Sequence, residues 1–187
     1  MIKLTLGVLL WSIVHFIPLV ATGFKKDLVQ RIGEYPFKGI FTLFMVASLY
    51  LIISGWKATV PDLMFAPPLW IEVVTAVLVL AGFILFLAPY AANNFKRMFR
   101  HPQLVGMICW GVGHLLTTGD DRSLVLFGGL TAWAIIEMLL LNRRDGAWVK
   151  PAKVPFKRDV GVVLFGSLAY LTFLFTHHLL FGVAPLG

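Results

Sequence analysis

The sequence predicts an all-α integral membrane protein, a single bundle of six transmembrane helices formed by residues 1–187. Hydrophobic residues make up 59% of the chain and charged residues only 13%, about half of the charged share in an average soluble protein. The mean hydropathy is +0.86. Six nearly charge-free stretches also approach the roughly 20 residues that a helix needs to cross the hydrocarbon core of a bilayer.

Each of the six stretches is predicted to form one membrane-spanning helix. Their apolar residues follow one another without a break, as in Leu78-Val79-Leu80, whereas the strands of a membrane β-barrel alternate in polarity. A helix also satisfies every backbone polar group inside the hydrocarbon. The predicted spans are residues 4–24, 39–56, 73–95, 102–119, 123–142 and 160 to about 181, and Glu137 is the one charged residue inside them.

The distribution of basic residues predicts the orientation of the bundle. The first, third and fifth connections carry thirteen Lys and Arg residues, and the opposite side carries three. Because cytoplasmic loops are enriched in Lys and Arg, both termini are predicted to lie on the periplasmic side. The thirteen are Lys25, Lys26, Arg31, Lys38, Lys96, Arg97, Arg100, Arg143, Arg144, Lys150, Lys153, Lys157 and Arg158; the three are Lys3, Lys57 and Arg122.

The same features exclude several classes of protein. The basic residues that give the net charge of +7 are distributed as the predicted membrane topology requires, so this charge does not indicate a nucleic-acid partner. Cys109 is the only cysteine, which excludes an intrachain disulfide, a Cys-x-x-Cys metal site and covalent c-type haem. The first apolar stretch is predicted to be a membrane anchor rather than a cleaved signal peptide, because it is long and is followed by Lys25 and Lys26.

Two of the five histidines fall at similar predicted depths. His15 lies 11 residues from Leu4 and His114 lies 11 residues from Gln103, each roughly 16 Å along the helix axis and near the midplane. Ionisable residues in a span usually face the bundle interior and mark functional sites. Two imidazoles at one depth can bind both faces of a haem iron, and the sequence offers no further midplane ligands for zinc. The alternative is two buried histidines bonded to neighbouring carbonyls or hydroxyls.

The residues around His114 are compatible with a haem. Gly111 and Gly113 flank it without side chains that would clash with a macrocycle, and Met107 and Trp110 precede it by one or two turns on a similar face. Pro18 loosens the backbone beside His15, because it removes a helical hydrogen bond.

A second cluster lies at the start of the fourth span. Arg100 and His101 precede Pro102, which suits a first helical turn. The free amides of that turn, with Lys96 and Arg97 nearby, could hold an anion such as a haem propionate, a lipid phosphate or a cofactor carboxylate; headgroup anchoring is the alternative. Glu137 lies at a similar depth and could pair with Arg100 or His101. Ser123, after a short outer turn, is predicted to cap the fifth span.

These motifs together resemble the NnrU family of bacterial inner-membrane proteins, which is related to the haem-containing 15-cis-zeta-carotene isomerase. The resemblance covers most of the chain. Its motifs are His15-Phe16-Ile17-Pro18, Arg31-Ile32-Gly33-Glu34, Phe37-Lys38-Gly39, Arg100-His101-Pro102-Gln103-Leu104-Val105-Gly106, Trp110, His114-Leu115-Leu116, Gly119-Asp120 and Phe127-Gly128-Gly129.

The resemblance implies a haem b whose iron is bound by His15 and His114. In the isomerase the reduced iron acts on an apolar polyene, which implies a polyene ligand and an electron donor. The isomerase has a further histidine after its second span, where this chain has Ser54-Gly55-Trp56-Lys57, so no catalytic residue is assigned. The bacterial members are associated with denitrification, the reduction of nitrite and nitric oxide, which implies nitric oxide as an alternative ligand.

Two other functions stay open at this stage. The sequence Arg100-His101-Pro102 also resembles the S-adenosylmethionine motif of membrane methyltransferases, although Leu104 replaces their usual tyrosine and Glu137 stands without a second acidic residue. The other function is a non-catalytic assembly or transport component, in which the histidines would only pack.

Overall fold

The computed structural model describes residues 1–183 and Pro185, which fold into helices joined by short turns and loops. No β-strand forms among them beyond an isolated bridge between Leu63 and Asp120. The predicted all-α class is therefore confirmed. The helices are α1 (Ile2–Val20), α2 (Thr22–Ile32), α3 (Glu34–Ala58), α4 (Ile71–Leu87), α5 (Phe95–Met98), α6 (Pro102–Thr118), α7 (Asp121–Ser123), α8 (Gly129–Asp145) and α9 (Lys157–Phe181), with a 3₁₀ turn at Ala88–Tyr90 and a π turn at Leu124–Gly128.

Five helical segments in the described chain are long and apolar enough to cross a membrane. They are Ile2–Val20, Glu34–Ala58, Ile71–Tyr90, Asp121–Asp145 and Lys157–Phe181. The fourth predicted span forms α6, which has 17 residues and is therefore about 25 Å long, somewhat shorter than a hydrocarbon core. The structure thus confirms a membrane protein of several apolar helices.

The first predicted span is shorter in the structure. Pro18 lies inside α1, where it cannot donate a helical hydrogen bond, and the helix ends two residues later at Val20. Ala21 then leaves the helical conformation with φ −108° and ψ 55°. The connection that follows is not a loop, since Thr22–Ile32 forms α2 and carries three of the basic residues predicted to face the cytoplasm.

The third predicted span also ends early. After Leu87 the chain tightens into the 3₁₀ turn, which contains Pro89, and Ala91 is extended at φ −133° and ψ 160°. The side-chain amide of Asn93 donates to the carbonyls of Ala88 and Ala91 at 2.6 and 2.9 Å. These bonds satisfy carbonyls that the ending helix leaves free.

The long helices pack in a defined order. The most extensive pairs are α4 with α6 and α1 with α3; α8 packs against both α1 and α6, and α9 packs mainly on α4. The spatial order is therefore α3, α1, α8, α6, α4, α9. This order places α8 between the two helices that carry His15 and His114.

Glycines permit the closest helix crossings. A Cβ on Gly106 of α6 would lie 2.7 Å from the carbonyl oxygen of Gly82 on α4, and a Cβ on Gly7 of α1 would lie 2.7 Å from the amide nitrogen of Ile52 on α3. Real Cβ atoms do not approach so closely. Backbone contact of this kind is how membrane helices associate when both helices and lipid are apolar.

Side-chain contacts hold the turn between α6 and α7, at the end of α6 opposite to Pro102. Gly119 ends α6 at φ 60°, and the Asp120 carboxylate accepts a 2.8 Å hydrogen bond from the amide of Ser123. The cap of this helix is therefore Asp120, and the prediction of Ser123 as the cap is wrong by three positions. The Arg122 guanidinium stacks 4.1 Å from the Trp56 ring and donates to the Thr59 carbonyl at 3.1 Å.

Candidate functional site

His15 lies among aromatic rings from three helices. We define the His15 cluster as His15, Trp11, Phe41 and Trp133, together with the carboxylate of Glu137 one turn after Trp133. The imidazole centroid is 4.8 Å from the rings of Trp11 and Trp133 and 5.6 Å from that of Phe41. Trp11 and Trp133 also meet edge to face at 5.6 Å. The cluster joins α1, α3 and α8.

His114 lies in a second group of rings, here called the His114 cluster: His114, Trp110, Phe127 and Trp56. The Phe127 ring stacks on the imidazole with centroids 4.5 Å apart and planes inclined by 21°. Trp110 and Trp56 contact the other sides of Phe127 at 5.0 and 5.9 Å. This cluster joins α6 to α3 and the π turn.

The two histidines share one local arrangement. Each follows a tryptophan by four residues on its own helix, and Nδ1 of each ring bonds to the carbonyl of that tryptophan, His15 to Trp11 at 2.9 Å and His114 to Trp110 at 2.8 Å. A carbonyl can only accept, so Nδ1 carries the proton. No hydrogen bond to Nε2 of either ring occurs within residues 1–183.

This arrangement suits a metal ligand. When Nδ1 donates to a carbonyl, the tautomer and the ring orientation are fixed, and the lone pair of Nε2 is free to coordinate. The donor chemistry of His15 and His114 therefore fits the axial positions of a haem iron. Two structural histidines would make the same carbonyl bonds. Only a binding experiment with a ligand of Nε2 distinguishes the two interpretations.

The two rings do not meet in the structure. Along the continuous segment from Asp121 to Asp145, His15 contacts Trp133 and His114 contacts Phe127, six residues or about 9 Å apart along the axis. The two imidazoles therefore pack at different positions along this segment, and their equal depth in the membrane stays a prediction.

The glycines beside His114 are used for helix packing. A Cβ on Gly111 would clash with the Thr131 hydroxyl of α8, and a Cβ on Gly113 would lie 3.0 Å from the Val79 side chain of α4. The interpretation that these glycines leave room for a macrocycle is wrong. Because both residues lack a side chain, α6 packs closely against α8 and α4.

The basic cluster at the start of α6 makes contacts with the end of α8. Arg100 donates to the Gly146 carbonyl at 2.7 Å, and His101 Nε2 lies 3.1 Å from the Asn142 side-chain oxygen. Pro102 opens α6 as predicted. Among the described residues neither Arg100 nor His101 bonds to Glu137, because Asn142 and Gly146 lie closer to the end of α8 and occupy these side chains.

Glu137 and the two tryptophans of the His15 cluster form a feature that sequence reasoning missed. Oε2 of Glu137 and Nε1 of Trp11 and Trp133 are buried and have no hydrogen-bond partner in the described chain. Glu137 follows Trp133 by one turn. The spacing of Trp, three residues and then His or Glu occurs on α1, α6 and α8 and is the sequence signal that could have identified these rings.

Sequence comparison decides the family of the chain. The family model described as NnrU protein matches residues 3–185. The chain belongs to the NnrU family. Neither a curated protein nor a solved structure matches it.

The carboxylates, thiols and imidazoles of this NnrU protein form no cluster of three or more that could hold a metal ion within the described residues. A metal that His15 and His114 bind must therefore take most of its ligands from elsewhere, as a porphyrin provides them. The remaining histidines are not members of either ring cluster: the His177 ring contacts Phe181 and its Nδ1 bonds to the Val183 carbonyl at 2.8 Å, His178 is exposed, and His101 precedes α6.

Proposed function

We propose that this NnrU protein is a haem b protein of the bacterial inner membrane, in which Nε2 of His15 and of His114 bind the iron. The observation that carries the proposal is the matched pair of anchored imidazoles, each with Nδ1 bonded to the tryptophan carbonyl one turn earlier. Such carbonyl bonds orient ligating histidines and raise their basicity.

Both ligands must reach one iron, at roughly 2 Å each if the bond resembles other metal–imidazole bonds. The Phe127 ring stacks on His114, and the two imidazoles pack on different rings, so binding of one haem requires the Phe127 ring to move and the two imidazoles to approach each other. The aromatic side chains around both histidines would then pack on the porphyrin and exclude water. Arg100 and His101, at the basic end of the bundle, are proposed to neutralise a haem propionate.

A haem held by both histidines would supply a one-electron redox centre, and a small or apolar ligand would bind the iron if one of the two histidines dissociated. The proposed ligands are nitric oxide, in line with the association of the family with denitrification, or an apolar polyene, in line with an isomerase-like reaction. Either function needs an electron donor. The buried, aromatic surroundings of His15 and His114 favour ligands without charge.

The proposed topology has six spans with both termini in the periplasm. The alternation of basic residues supports it, since thirteen of sixteen Lys and Arg side chains fall on one side of such a bundle. The 17 residues of α6 suffice if this helix is held by its neighbours rather than by lipid. Its glycine contacts with α4 and α8 support that arrangement.

The test is the optical spectrum of the protein purified in detergent after expression with ample haem, as isolated and after reduction with dithionite. We expect a Soret band that sharpens on reduction in the wild type and is lost in His15→Ala and in His114→Ala. His178→Ala is the matched control, because this exposed histidine lies outside both clusters, and it should keep the full haem content.

The outcomes separate the candidate functions. Loss of haem in only one alanine variant would contradict ligation by both histidines and leave a single-histidine site. Full haem content in both variants would contradict the proposal. In that case titration with S-adenosylmethionine by calorimetry tests the methyltransferase, and absence of binding there leaves the assembly or transport component.

A further inference from the structure

A groove of about 440 Å³ opens at the basic end of the bundle, between the 3₁₀ turn after α4 and the first turns of α9. Its lining residues belong to neither histidine cluster. Its walls are mainly apolar and include Leu87, Ala91, Val162 and Phe165. This volume lies in the range of roughly 300–1,000 Å³ that is typical of small-molecule sites.

A glycine on α9 leaves one side of the groove open. Gly161 lines the groove, and a Cβ built on it meets no atom within 4 Å. Five residues later, Gly166 lies so close to α4 that a Cβ would be 2.8 Å from the backbone of Ile84. The two helices therefore touch at Gly166 and part at Gly161, which leaves an apolar slot that faces the surrounding lipid.

The mouth of the slot is polar and positively charged. Arg158 and Tyr90 line it, and the Arg158 side chain has no ion-pair or hydrogen-bond partner among the described residues. The neighbouring Asp159 does not neutralise it by pairing, because its two carboxylate oxygens accept bonds of 2.6 Å from the amide and the side chain of Asn94. The Tyr90 hydroxyl accepts a weak bond from Gln103 at 3.4 Å and keeps its own proton to donate.

The frame around the mouth is fixed by hydrogen bonds. Asn94 holds the loop before α9 through two hydrogen bonds with Val154, of 2.8 and 3.1 Å, in addition to its bonds with Asp159. The start of α9 is therefore attached to the segment that follows α4, which fixes the backbone position of Arg158 beside the groove.

We propose that this groove binds one anionic phospholipid, with an acyl chain along the apolar slot and the phosphate on Arg158 and Tyr90. Charge complementarity selects this occupant: the guanidinium is unpaired, it lies at the end of the bundle that carries most basic residues, and the slot below it is apolar. Arg binds phosphate with two parallel hydrogen bonds. The proposal does not depend on a haem.

The experiment is native mass spectrometry of the full chain in detergent, offered phosphatidylglycerol and phosphatidylcholine with identical acyl chains in equal amounts. We expect the wild type to retain one phosphatidylglycerol in preference to phosphatidylcholine by about fivefold, the effect of one basic side chain near an anionic lipid. Arg158→Gln should remove the preference, and Gly161→Leu should reduce retention of both lipids because its side chain fills the slot.

Two further variants make the result specific. Gly39→Leu places the same side chain on an exposed glycine of α3 that also has no atom within 4 Å, and it should bind lipid as the wild type does. Ala92→Leu fills the groove from the turn without altering α9, so it tests the slot if Gly161→Leu does not fold. Equal retention of both lipids by the wild type would overturn the proposal. Unchanged retention in Arg158→Gln would also do so, as would complete displacement by millimolar inorganic phosphate, which would indicate an anion site without the acyl chain.

Discussion

The His15 cluster and the His114 cluster begin from the same local motif and differ in what surrounds it. In both, a tryptophan precedes the histidine by one turn and its carbonyl accepts from Nδ1. In the His15 cluster, side chains from three helices surround the ring, and three buried polar atoms lack partners. In the His114 cluster, one stacked phenylalanine covers the ring, and Gly111 brings the helices together.

The difference shows how each histidine is held. Bulky rings fill the space between helices around His15, whereas backbone contact through glycine sets the helix separation at His114. The His15 cluster should therefore respond to loss of aromatic volume and tolerate small changes, and the His114 cluster should respond to any added volume on α6.

Gly111→Val should have the largest effect. Its side chain would clash with Thr131 and approach the Phe127 carbonyl, 3.1 Å from the first added carbon, so α6 and α8 must separate. Overpacking usually costs about 1–3 kcal/mol and in some cases more. Because the Phe127 backbone blocks relaxation here, we expect a cost above this range and above that of any substitution below. We expect a lowered thermal midpoint in detergent and a perturbed His114 environment. Gly39→Val, where the space is open, is the control; equal midpoints for the two variants would contradict the account.

Trp133→Ala should destabilise the bundle by about 3–5 kcal/mol, the usual cost of removing a large buried ring. Trp133 is 6% exposed and contacts both His15 and Trp11. Denaturation in mixed micelles measures the effect. Tyr35→Ala, a change at an 87% exposed aromatic side chain, should be nearly neutral. A cost below 1 kcal/mol for Trp133→Ala would show that the rings do not hold α1 to α8.

Asp120→Ala should cost about 1 kcal/mol, because it removes the side-chain cap at the start of α7. The loss is local to the end of the bundle near the His114 cluster. Asp120→Asn keeps an accepting oxygen and should restore most of the stability. If the alanine and asparagine variants melt together, the 2.8 Å bond to Ser123 contributes little.

Trp133→Phe should change the free energy of unfolding by less than about 1 kcal/mol. It removes a buried N–H that has no partner, which offsets the loss of ring area. A clear destabilisation, larger than that of Phe41→Leu in the same cluster, would indicate that a ligand or an ordered water satisfies this N–H in the membrane. Chemical denaturation of both variants under one condition makes the comparison.

Much of the fold could be predicted from hydropathy. The six apolar stretches become the six long helices, and the start of α6 at Pro102 follows from the preference of proline for a first turn. The ends were harder to predict. Ala21 and Ala91 leave the helix within apolar runs, and their conformation depends on nearby Pro18 and Pro89 and on the bonds of Asn93 rather than on polarity.

The site was predictable only in part. His15 and His114 stand out because imidazoles are rare in hydrocarbon, and the structure shows both with a free Nε2. Their surroundings depend on the order of the helices, which the sequence does not specify. Helix α8 lies between α1 and α6, so the imidazoles of His15 and His114 do not meet. Gly111 is needed for the close contact of α6 with α8. Glu137 lies beside Trp133 rather than beside Arg100.

The most direct test of haem ligation through Nε2 is rescue by imidazole. His15→Gly and His114→Gly each leave a space beside the proposed iron, and exogenous imidazole should restore the low-spin spectrum of the wild type in both variants. Phe41→Gly, which opens the same cluster without removing a proposed ligand, should bind haem before imidazole is added. Failure of imidazole to alter the spectrum of either histidine variant, with haem content equal to that of the wild type, would contradict the account.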